Sequence, residues 1–351
     1  MDKQLLELYS DYLISSFSQT SATGLSQLVD GAISHDQITR FLSGGDYGSR
    51  ELWQLVKAVV RQVENDDGVL IIDDTIQEKP YTDENAIITW HFDHSKNRTV
   101  KGVNIVNCLY QAAEVSIPVA FEIVVKDCLY CDLSTRTVRR KSALTKNDLM
   151  RAMLTVCQQN QVRYRYVLND NWFASAENMT YVKQQLQKDF IMALKSNRTV
   201  ALSLEDRQQG RFVRVDTLAL APAVIQPVYL KGVACPVVLA KQVFKNQDGS
   251  EGVLYLVSSD VTLDYETLTT TYQKRWGVEV FHKSVKSNAS LAQSPTRRVR
   301  TQSNHFFAAI YGFFKLECLK LKHQLNHFAL RSKLYMKALL ASFHELQKLA
   351  A

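Results

Sequence analysis

The chain has 351 residues, and 46% of them are hydrophobic, so it is long and apolar enough to bury a sizeable core. Its 42 basic and 35 acidic residues give a net charge of +7 and an isoelectric point near 9.0, which favours a polyanionic partner. Charges interrupt every long apolar stretch, and the start of the chain is unlike a signal peptide. These features indicate a folded chain without an apolar membrane span, and we expect a protein of the cytoplasm.

Residues 1–65 are predicted to be helical. Ser34 and Gln37 have the spacing of a capping box at the start of one of these helices. Two interpretations of this region stay open. It is either a helix-turn-helix-like module that presents Thr39 and Arg40 to DNA, or a plain helical bundle that packs on the rest of the chain.

From about residue 66 the pattern changes to short apolar runs that predict strands, with helices between the later ones. The predicted strands are 69–72, 102–112, 115–125, 164–168 and 190–194, and the predicted helices are 149–158 and 176–188. Asp73 and Asp74 directly follow the first strand, and Asp170 follows the fourth one closely. Carboxylates in this position lie at the carboxyl edge of a sheet, where open α/β sheets place their functional sites.

Two other motifs in this half of the chain could suggest a zinc site. His91 and His94 lie close together, but Lys96 follows them, and a loop near the functional site or near DNA is the favoured interpretation. Of the six cysteines, Cys128 and Cys131 form the one close pair, without a second pair or histidines at zinc spacing. The cysteines are therefore expected to be reduced thiols in or near the core.

Residues 198–262 are predicted to form a further β-rich segment. Its strands are 213–215, 228–230, 237–244 and 253–257, with a turn at Gly249 and Ser250. The following residues, 264–286, contain no proline and predict one helix that Asp264 caps. A last helix is predicted at 303–323, where a stripe of aromatic and aliphatic side chains faces the core.

The helix predicted at 264–286 carries four polar side chains. They are Tyr272, Arg275, Glu279 and Lys286, at offsets of 0, 3, 7 and 14 residues. At about 100° per residue these side chains fall within roughly 60° of one another, so they are predicted to share one helix face. A phenol, a guanidinium, a carboxylate and an ammonium on one face indicate a surface that meets a phosphate and a metal ion together. The alternative is a solvated face with an ion pair between Arg275 and Glu279. Trp276 lies off this face and is interpreted as a packing residue.

Together with the strand-end carboxylates, this spacing resembles the DDE transposases of bacterial insertion sequences, specifically the insertion-sequence-four family. That family carries Tyr-x2-Arg-x3-Glu-x6-Lys around its catalytic Glu, and the four side chains match it at every position. Its first Asp motif resembles the Asp-Asp-Thr segment that begins at Asp73, which favours Asp73 over Asp74. Its second Asp motif resembles the Asp-Asn-Trp-Phe segment that begins at Asp170.

The resemblance implies an α/β fold with a ribonuclease H-like catalytic domain, which is a mixed five-stranded sheet with flanking helices. The order of the predicted strands, a meander followed by alternating strands and helices, agrees with that fold. Residues 66–351 would form the catalytic domain, with the β-rich insertion at about 198–262. Residues 1–65 would form a helical region that binds the ends of the transposon.

The resemblance also implies a chemistry and a set of partners. Asp73, Asp170 and Glu279 would ligate two Mg²⁺ ions, for which Mn²⁺ can substitute, since both are hard cations that prefer oxygen ligands. The implied DNA-binding residues are Tyr272, Arg275 and Lys286. The implied activity is cleavage of double-stranded DNA at transposon ends, followed by strand transfer into target DNA. Because two ends must be cut and joined, a homodimer on DNA is expected.

Two alternatives to a transposase stay open. The first is a ribonuclease H-like nuclease that cuts DNA without joining it, which would have no need of Tyr272, Arg275 and Lys286. The second is a domesticated DNA-binding protein without catalytic activity. Loss of one of the three carboxylates would mark that second class, and all three are present.

Overall fold

A computed structural model describes residues 1–94, 96–245 and 248–350 of the chain. It begins with four helices, α1 (Lys3–Ser15), α2 (Ala22–Leu28), α3 (His35–Gly44) and α4 (Ser49–Val63). The backbone N–H of Gln37 donates to the side chain of Ser34, and the Gln37 side chain accepts from the backbone N–H of Ser34. The predicted capping box at the start of α3 is thereby confirmed.

Strands dominate the middle of the chain. The elements are β1 (Val69–Glu78), β2 (Thr89–Asp93), β3 (Arg98–Ala112), β4 (Val115–Ile123), β5 (Cys128–Asp132), β6 (Thr137–Lys141), α5 (Lys146–Gln159), β7 (Tyr166–Asn169), α6 (Ala176–Thr180) with a π-helical turn at Tyr181–Gln185, and β8 (Asp189–Leu194). Five of these strands lie side by side in the order β4–β3–β1–β7–β8. Strand β3 is antiparallel to β1 and β4, whereas β7 is parallel to β1 and β8, so the sheet is mixed.

The β-rich segment extends this sheet instead of forming a separate one. Its elements are β9 (Thr199–Ala201), α7 (Leu204–Gln208), β10 (Val213–Arg214), β11 (Ile225–Leu230), β12 (Val237–Lys245) and β13 (Glu251–Ser258). Strand β13 pairs antiparallel with β8, and the described residues place eleven strands in one sheet. The predicted five-stranded sheet is therefore too small, because β13 covers an edge of β8 that would otherwise expose unpaired backbone groups.

Two elements near β3 were not predicted. Strand β2 pairs with the first part of β3, where the sequence analysis placed a loop around His91. Strands β5 and β6 form a two-stranded hairpin outside the large sheet. Cys131 is exposed on this hairpin, so the interpretation of the cysteines as core thiols is wrong for Cys131, whereas Cys108 and Cys157 are buried.

Four helices complete the chain, and the longest of them forms part of the core. They are α8 (Tyr265–Gln273), α9 (Trp276–Ser287), α10 (Val299–His323) and α11 (His327–Ala350). Helices α1 and α3 pack on α10, and α4 packs on β4, so the N-terminal helices share a core with the rest of the chain. The predicted core stripe of α10 is confirmed for Phe306, Phe307 and Phe313. Within the described ranges, no helix combines the length and the apolar character that crossing a bilayer requires.

Candidate active site

Two of the predicted site carboxylates, Asp73 and Asp170, lie where the pairing between strands β1 and β7 ends. The pairing of β7 with β1 ends at Ile72 and Asn169, whereas β1 continues beside β3 as far as Glu78. Asp73 and Asp170 are the next residues of β1 and of the chain after β7. The sheet therefore opens at this point, and the two carboxylates lie on either side of the opening.

The helix that carries the predicted Glu is broken. The prediction of one helix over 264–286 is wrong, because α8 and α9 meet at Lys274 and Arg275. The N–H of Arg275 donates to the carbonyl of Tyr272 at 2.9 Å, and the N–H of Val278 donates to the carbonyl of Arg275 at 3.0 Å. These bonds span three residues instead of four, as in a 3₁₀ turn, which changes the angle between successive side chains.

Arg275 joins two of the three carboxylates. Its Nη1 atom lies 3.2 Å from Asp73 Oδ2 and 3.4 Å from Glu279 Oε1. Asp73 and Arg275 are largely buried, whereas the Glu279 side chain is 45% exposed. One guanidinium therefore holds a strand carboxylate and a helix carboxylate on either side of it, and it sets the orientation of α9 against β1.

The two strand-end carboxylates, Asp73 and Asp170, place two acidic groups close together in a buried part of the site. Burial and the neighbouring Asp170 raise the pKa of Asp73 to about 8, although Arg275 and a hydrogen bond from the backbone of Asp74 act in the opposite direction. Burial also raises the pKa of Asp170, whose Oδ1 atom accepts from the backbone N–H of Trp172 at 2.9 Å. The pair therefore lacks sufficient positive charge in this structure, so a further cation would stabilise its ionised form.

Asp74 is also held at the site, by different partners. Its Oδ2 atom accepts from Asn104 Nδ2 at 2.6 Å, and its Oδ1 atom accepts from Lys146 Nζ at 2.8 Å. Asp73 faces Arg275 instead. Asp73 and Asp74 nevertheless both line the cavity described below, so both neighbours reach the site.

Lys286 and Tyr272 occupy different positions around the site. Lys286 Nζ donates to Thr75 Oγ1 at 2.7 Å and to the carbonyl of Ile76 at 2.9 Å, and burial lowers the pKa of this ammonium. Tyr272 is buried, and its hydroxyl donates to the carbonyl of Asn169 at 3.3 Å. Burial raises the pKa of that hydroxyl to about 12. The prediction that Tyr272 shares one face with the other three is therefore wrong, because the 3₁₀ turn directs its ring behind the end of β7.

Trp276 does not pack in the core. Its side chain is 65% exposed, so the interpretation of Trp276 as a packing residue is wrong. The Arg275 guanidinium lies 5.9 Å from the ring centroids of Trp276 and Tyr272. The Arg275 guanidinium is thus within cation–π range of two aromatic rings, one exposed and one buried.

These side chains surround one open cavity of about 480 Å³. Its lining residues are Asp73, Asp74, Thr75, Ile76, Phe92, Asp93, His94, Lys96, Lys146, Asp170, Trp172, Arg275, Glu279, His282, Lys283 and Lys286. The structure thus brings together five of the six predicted site residues and leaves Tyr272 outside the lining. The prediction that the segment around His94 lies near the site is confirmed for Asp93, His94 and Lys96, although its first part is strand β2.

Two residues that line the cavity, His282 and Lys146, were not predicted. His282 lies three residues after Glu279, which is a helical neighbour spacing that could have indicated it. Its Nε2 atom lies 3.3 Å from Asn107 Nδ2, and burial, Lys286 and Arg275 lower its pKa to about 3. Lys146 had no local signal, because its partner Asp74 is 72 residues away in sequence.

The donor set fits a divalent cation in part. Carboxylate oxygens are the ligands that Mg²⁺ and Mn²⁺ prefer, and Arg275 alone does not offset the charge of the buried pair Asp73 and Asp170. Within the part of the chain that the structure describes, however, no three acidic, His or Cys side chains lie close enough together to hold a metal. The pair therefore fits a cation, whereas Glu279 is paired with Arg275 in this structure.

A change of Asp73 to Asn should stabilise the metal-free protein at high pH. The folded state holds a proton on Asp73 up to about pH 8, whereas the ordinary pKa is 3.8. The contribution of Asp73 to the free energy of unfolding is therefore most favourable below about pH 4 and is lost as the pH rises to about 8. We expect Asp73→Asn to unfold at a higher temperature than wild type at pH 9 and at an equal temperature near pH 4. Thermal unfolding over a pH series, with and without Mg²⁺, measures this difference.

The same series tests the metal. Added Mg²⁺ should raise the unfolding temperature of wild type at pH 9 and leave that of Asp73→Asn almost unchanged, because a ligand that binds the folded state stabilises it. A difference between the two proteins that does not depend on pH would contradict the raised pKa of Asp73. Equal stabilisation of both proteins by Mg²⁺ would show that Asp73 is not a ligand.

Acidic side chains from two strands and a helix, which face a cavity with four lysines and an arginine, define a site suited to phosphodiesters. Two family models match the chain. One, described as DDE superfamily endonuclease, matches residues 2–211, and the other, described as Transposase DDE domain, matches residues 129–311. The first range includes Asp73 and Asp170, and the second includes Asp170 and Glu279. Each match covers more than half of the chain, and the chain belongs to the DDE superfamily of endonucleases and transposases. A search of curated proteins found no match.

Proposed function

We propose that the protein is a transposase of the insertion-sequence-four type, which cleaves DNA at transposon ends and transfers the cut strands into target DNA. The observation that carries this proposal is the arrangement of Asp73, Asp170 and Glu279 around one cavity with Arg275 and Lys286. Membership in the superfamily supports a transposase role and DNA as the substrate. The spacing of Arg275, Glu279 and Lys286 supports the narrower family.

The central strands support a ribonuclease H-like catalytic domain. The order β4–β3–β1–β7–β8, with a meander followed by two parallel strands, is the arrangement expected for that fold. We propose that residues 66–351 form this domain, with the β-rich insertion at about 198–262, and that residues 1–65 bind transposon ends. Thr39 and Arg40 are exposed on α3, which keeps them available to DNA. At least two copies are required to cut and join two ends, so we propose a homodimer on DNA.

Asp73, Asp170 and Glu279 are the proposed ligands of two Mg²⁺ or Mn²⁺ ions. Bound ions would neutralise charge on the phosphodiester and make a bound water more acidic. Asp73, Asp170 and Glu279 would hold the ions, while Arg275 and Lys286 would hold the scissile phosphate in line with the attacking oxygen, first of a water and then of the freed 3′-hydroxyl. Arg275 Nη1 lies 3.4 Å from one oxygen of Glu279 in this structure, and we propose that Arg275 exchanges this carboxylate for a DNA phosphate, which leaves both oxygens of Glu279 to the ions.

The remaining side chains of the predicted DNA-binding set have distinct proposed roles. Arg275 presents a planar fork that matches a phosphate, and Lys286 presents a point charge beside β1. Tyr272 is proposed to act from behind the site, where its ring packs beside the Arg275 guanidinium and its hydroxyl holds Asn169. Tyr272 would therefore position two residues instead of contacting DNA itself. These are Asn169, which precedes Asp170, and Arg275, which would bind the phosphate.

The proposal is tested with purified protein, DNA that carries the ends of its element, and target DNA. We expect cleavage at the ends and joining of pre-cut ends to the target in Mg²⁺ or Mn²⁺, and neither reaction in EDTA. Cleavage without joining in either metal would favour the nuclease alternative. DNA binding without cleavage in any metal would favour the DNA-binding protein without catalytic activity.

A further inference from the structure

A second cleft lies beside the active site, between strand β2 and the β5–β6 hairpin. It has a volume of about 580 Å³. Its lining residues are Glu84, Thr89, Trp90, Thr99, Lys126, Tyr130, Thr137, Val138, Arg139 and Arg140. The hairpin forms its own two-stranded sheet, so the cleft separates the hairpin from the body of the protein. None of these residues is part of the site described above.

The cleft combines positive charge with exposed aromatic rings. Residues 126–141 contain five basic side chains and two acidic ones. Trp90 is 51% exposed and Tyr130 is 40% exposed, and Lys141 Nζ lies 5.7 Å from the Tyr130 ring. Tyr130 lies directly opposite Arg139 in the hairpin register. Cationic side chains interleaved with aromatic rings are the arrangement that binds the backbone and bases of a nucleic-acid strand.

Acidic groups only partly offset the charge of the cleft. Arg139 pairs with Asp132 at 3.2 Å, and Glu84 accepts from Trp90 Nε1 at 2.5 Å. Lys126 Nζ donates to the carbonyl of Trp90 at 2.7 Å. Burial and the neighbouring Lys146 lower the pKa of Lys126, although Glu84 acts in the opposite direction. The positive groups are therefore crowded, and a bound anion would relieve their repulsion.

The cleft and the active-site cavity are neighbours along strand β2. Trp90 lines the cleft and Phe92 lines the cavity, and both are exposed on the same face of the strand. Two residues of a strand span only about 7 Å. Lys126 in the cleft and Lys146 in the cavity both lower the pKa of His91, which lies between Trp90 and Phe92. Positive charge is therefore present on both sides of His91, with Lys146 beside Asp74 in the cavity and Lys126 in the cleft.

We propose that this cleft binds the sugar–phosphate backbone of the DNA strand that continues beyond the scissile bond, with Trp90 and Tyr130 against its sugars or bases. The proposal rests on the proposed function, since it assigns to the cleft the DNA that enters or leaves the active site. A protein partner is the competing occupant, but the excess of basic side chains and the position of the cleft next to the phosphodiester site favour DNA.

The test measures DNA binding by the full chain in EDTA, so that it does not depend on cleavage. The probe is a fluorescein-labelled duplex of arbitrary sequence with one single-stranded arm, titrated between about 50 and 200 mM salt. The variant is Arg139→Ala/Arg140→Ala. The matched control is Arg163→Ala/Arg165→Ala, which removes two exposed arginines before β7, at the opposite edge of the sheet from the active site. Both variants have the same net charge.

We expect the hairpin variant to bind roughly tenfold more weakly than wild type, with a salt slope lower by about two, because one counterion contribution is lost per phosphate contact. The control should bind like wild type. Trp90→Ala should weaken binding to the single-stranded arm by roughly tenfold, and Trp90→Phe should retain most of it, because a phenyl ring still stacks. Circular dichroism checks that each variant is folded.

Three results would overturn the proposal. The first is equal affinity and salt slope in the hairpin variant and in wild type. The second is an equal loss in the control variant, which would show only a general effect of net charge. The third is a change of oligomeric state, by light scattering, with unchanged DNA affinity, which would assign the hairpin to a protein partner. A wild type that binds this DNA but never cleaves element ends would contradict the proposed function alone.

Discussion

Glu279→Gln is expected to abolish metal-dependent cleavage, with a rate lower by on the order of 10³-fold or more, while DNA binding is retained. The glutamine keeps the shape of the side chain and an oxygen that can still accept from Arg275 Nη1. It removes the negative charge that a divalent cation requires of its ligand. Cleavage of end-containing DNA in Mg²⁺ and Mn²⁺ measures the rate, and a filter or anisotropy assay in EDTA measures binding.

The matched control is Glu266→Gln, which removes the charge of an exposed glutamate on the preceding helix α8. This variant should cleave like wild type. Retained cleavage in Glu279→Gln would exclude Glu279 from the catalytic set. A parallel loss of binding and cleavage would instead indicate that the variant is misfolded, which thermal unfolding would detect.

The positions of the strand-end carboxylates were predictable from the sequence, because the signal for them is local. A short apolar run followed by an acid fixes where a strand meets the sheet edge, and Asp73 and Asp170 both lie where β1 and β7 part. The spacing of Arg275, Glu279 and Lys286 was informative for the same reason. Each prediction used residues within one element or at its end, where periodicity and chain direction decide the geometry.

The errors arose where distant parts of the chain decide the structure. The break between α8 and α9 leaves Tyr272 under the end of β7. The sequence around the break contains no proline, and its one glycine, Gly277, follows the break. A continuous helix would satisfy the same local pattern. Lys146 reaches Asp74 only because α5 packs on β3 and β4, which brings its first residue beside β1. Strand β13 likewise pairs with β8 because that edge of the sheet is free. The hydrophobic pattern of one β-strand does not show which other strand it will pair with.

Arg275→Ala and Lys286→Ala are expected to weaken binding to transposon ends and to lower the salt slope by about one unit each, one for each lost phosphate contact. The structure supports this expectation because both cations line the cavity beside the carboxylates. Arg275→Lys should keep most of the salt slope but bind more weakly than wild type, since lysine keeps the charge without the planar fork. Titration of end-containing DNA at several salt concentrations measures both quantities.

Lys274→Ala is the matched control for these variants. Lys274 is adjacent to Arg275 at the junction of α8 and α9, but its Nζ atom donates to the carbonyl of Asp67, before the start of β1. It therefore points toward the edge of the sheet opposite the cavity. The control should bind and react like wild type, which would show that position on the cavity, and not charge at the junction, decides the effect.

Strand joining should fall together with cleavage in Arg275→Ala and Lys286→Ala, and this coupling separates a transposase from a nuclease. The same contacts that hold the scissile phosphate would hold the freed 3′-hydroxyl in line for attack on the target, where a small misplacement costs much of the rate. Pre-cut ends and target DNA, supplied to each variant in Mg²⁺ or Mn²⁺, isolate the joining step. If both variants bind and join like wild type, the polar side chains around Glu279 form only a solvated surface. If wild type cuts but never joins, the nuclease alternative accounts for Asp73, Asp170 and Glu279 without strand transfer.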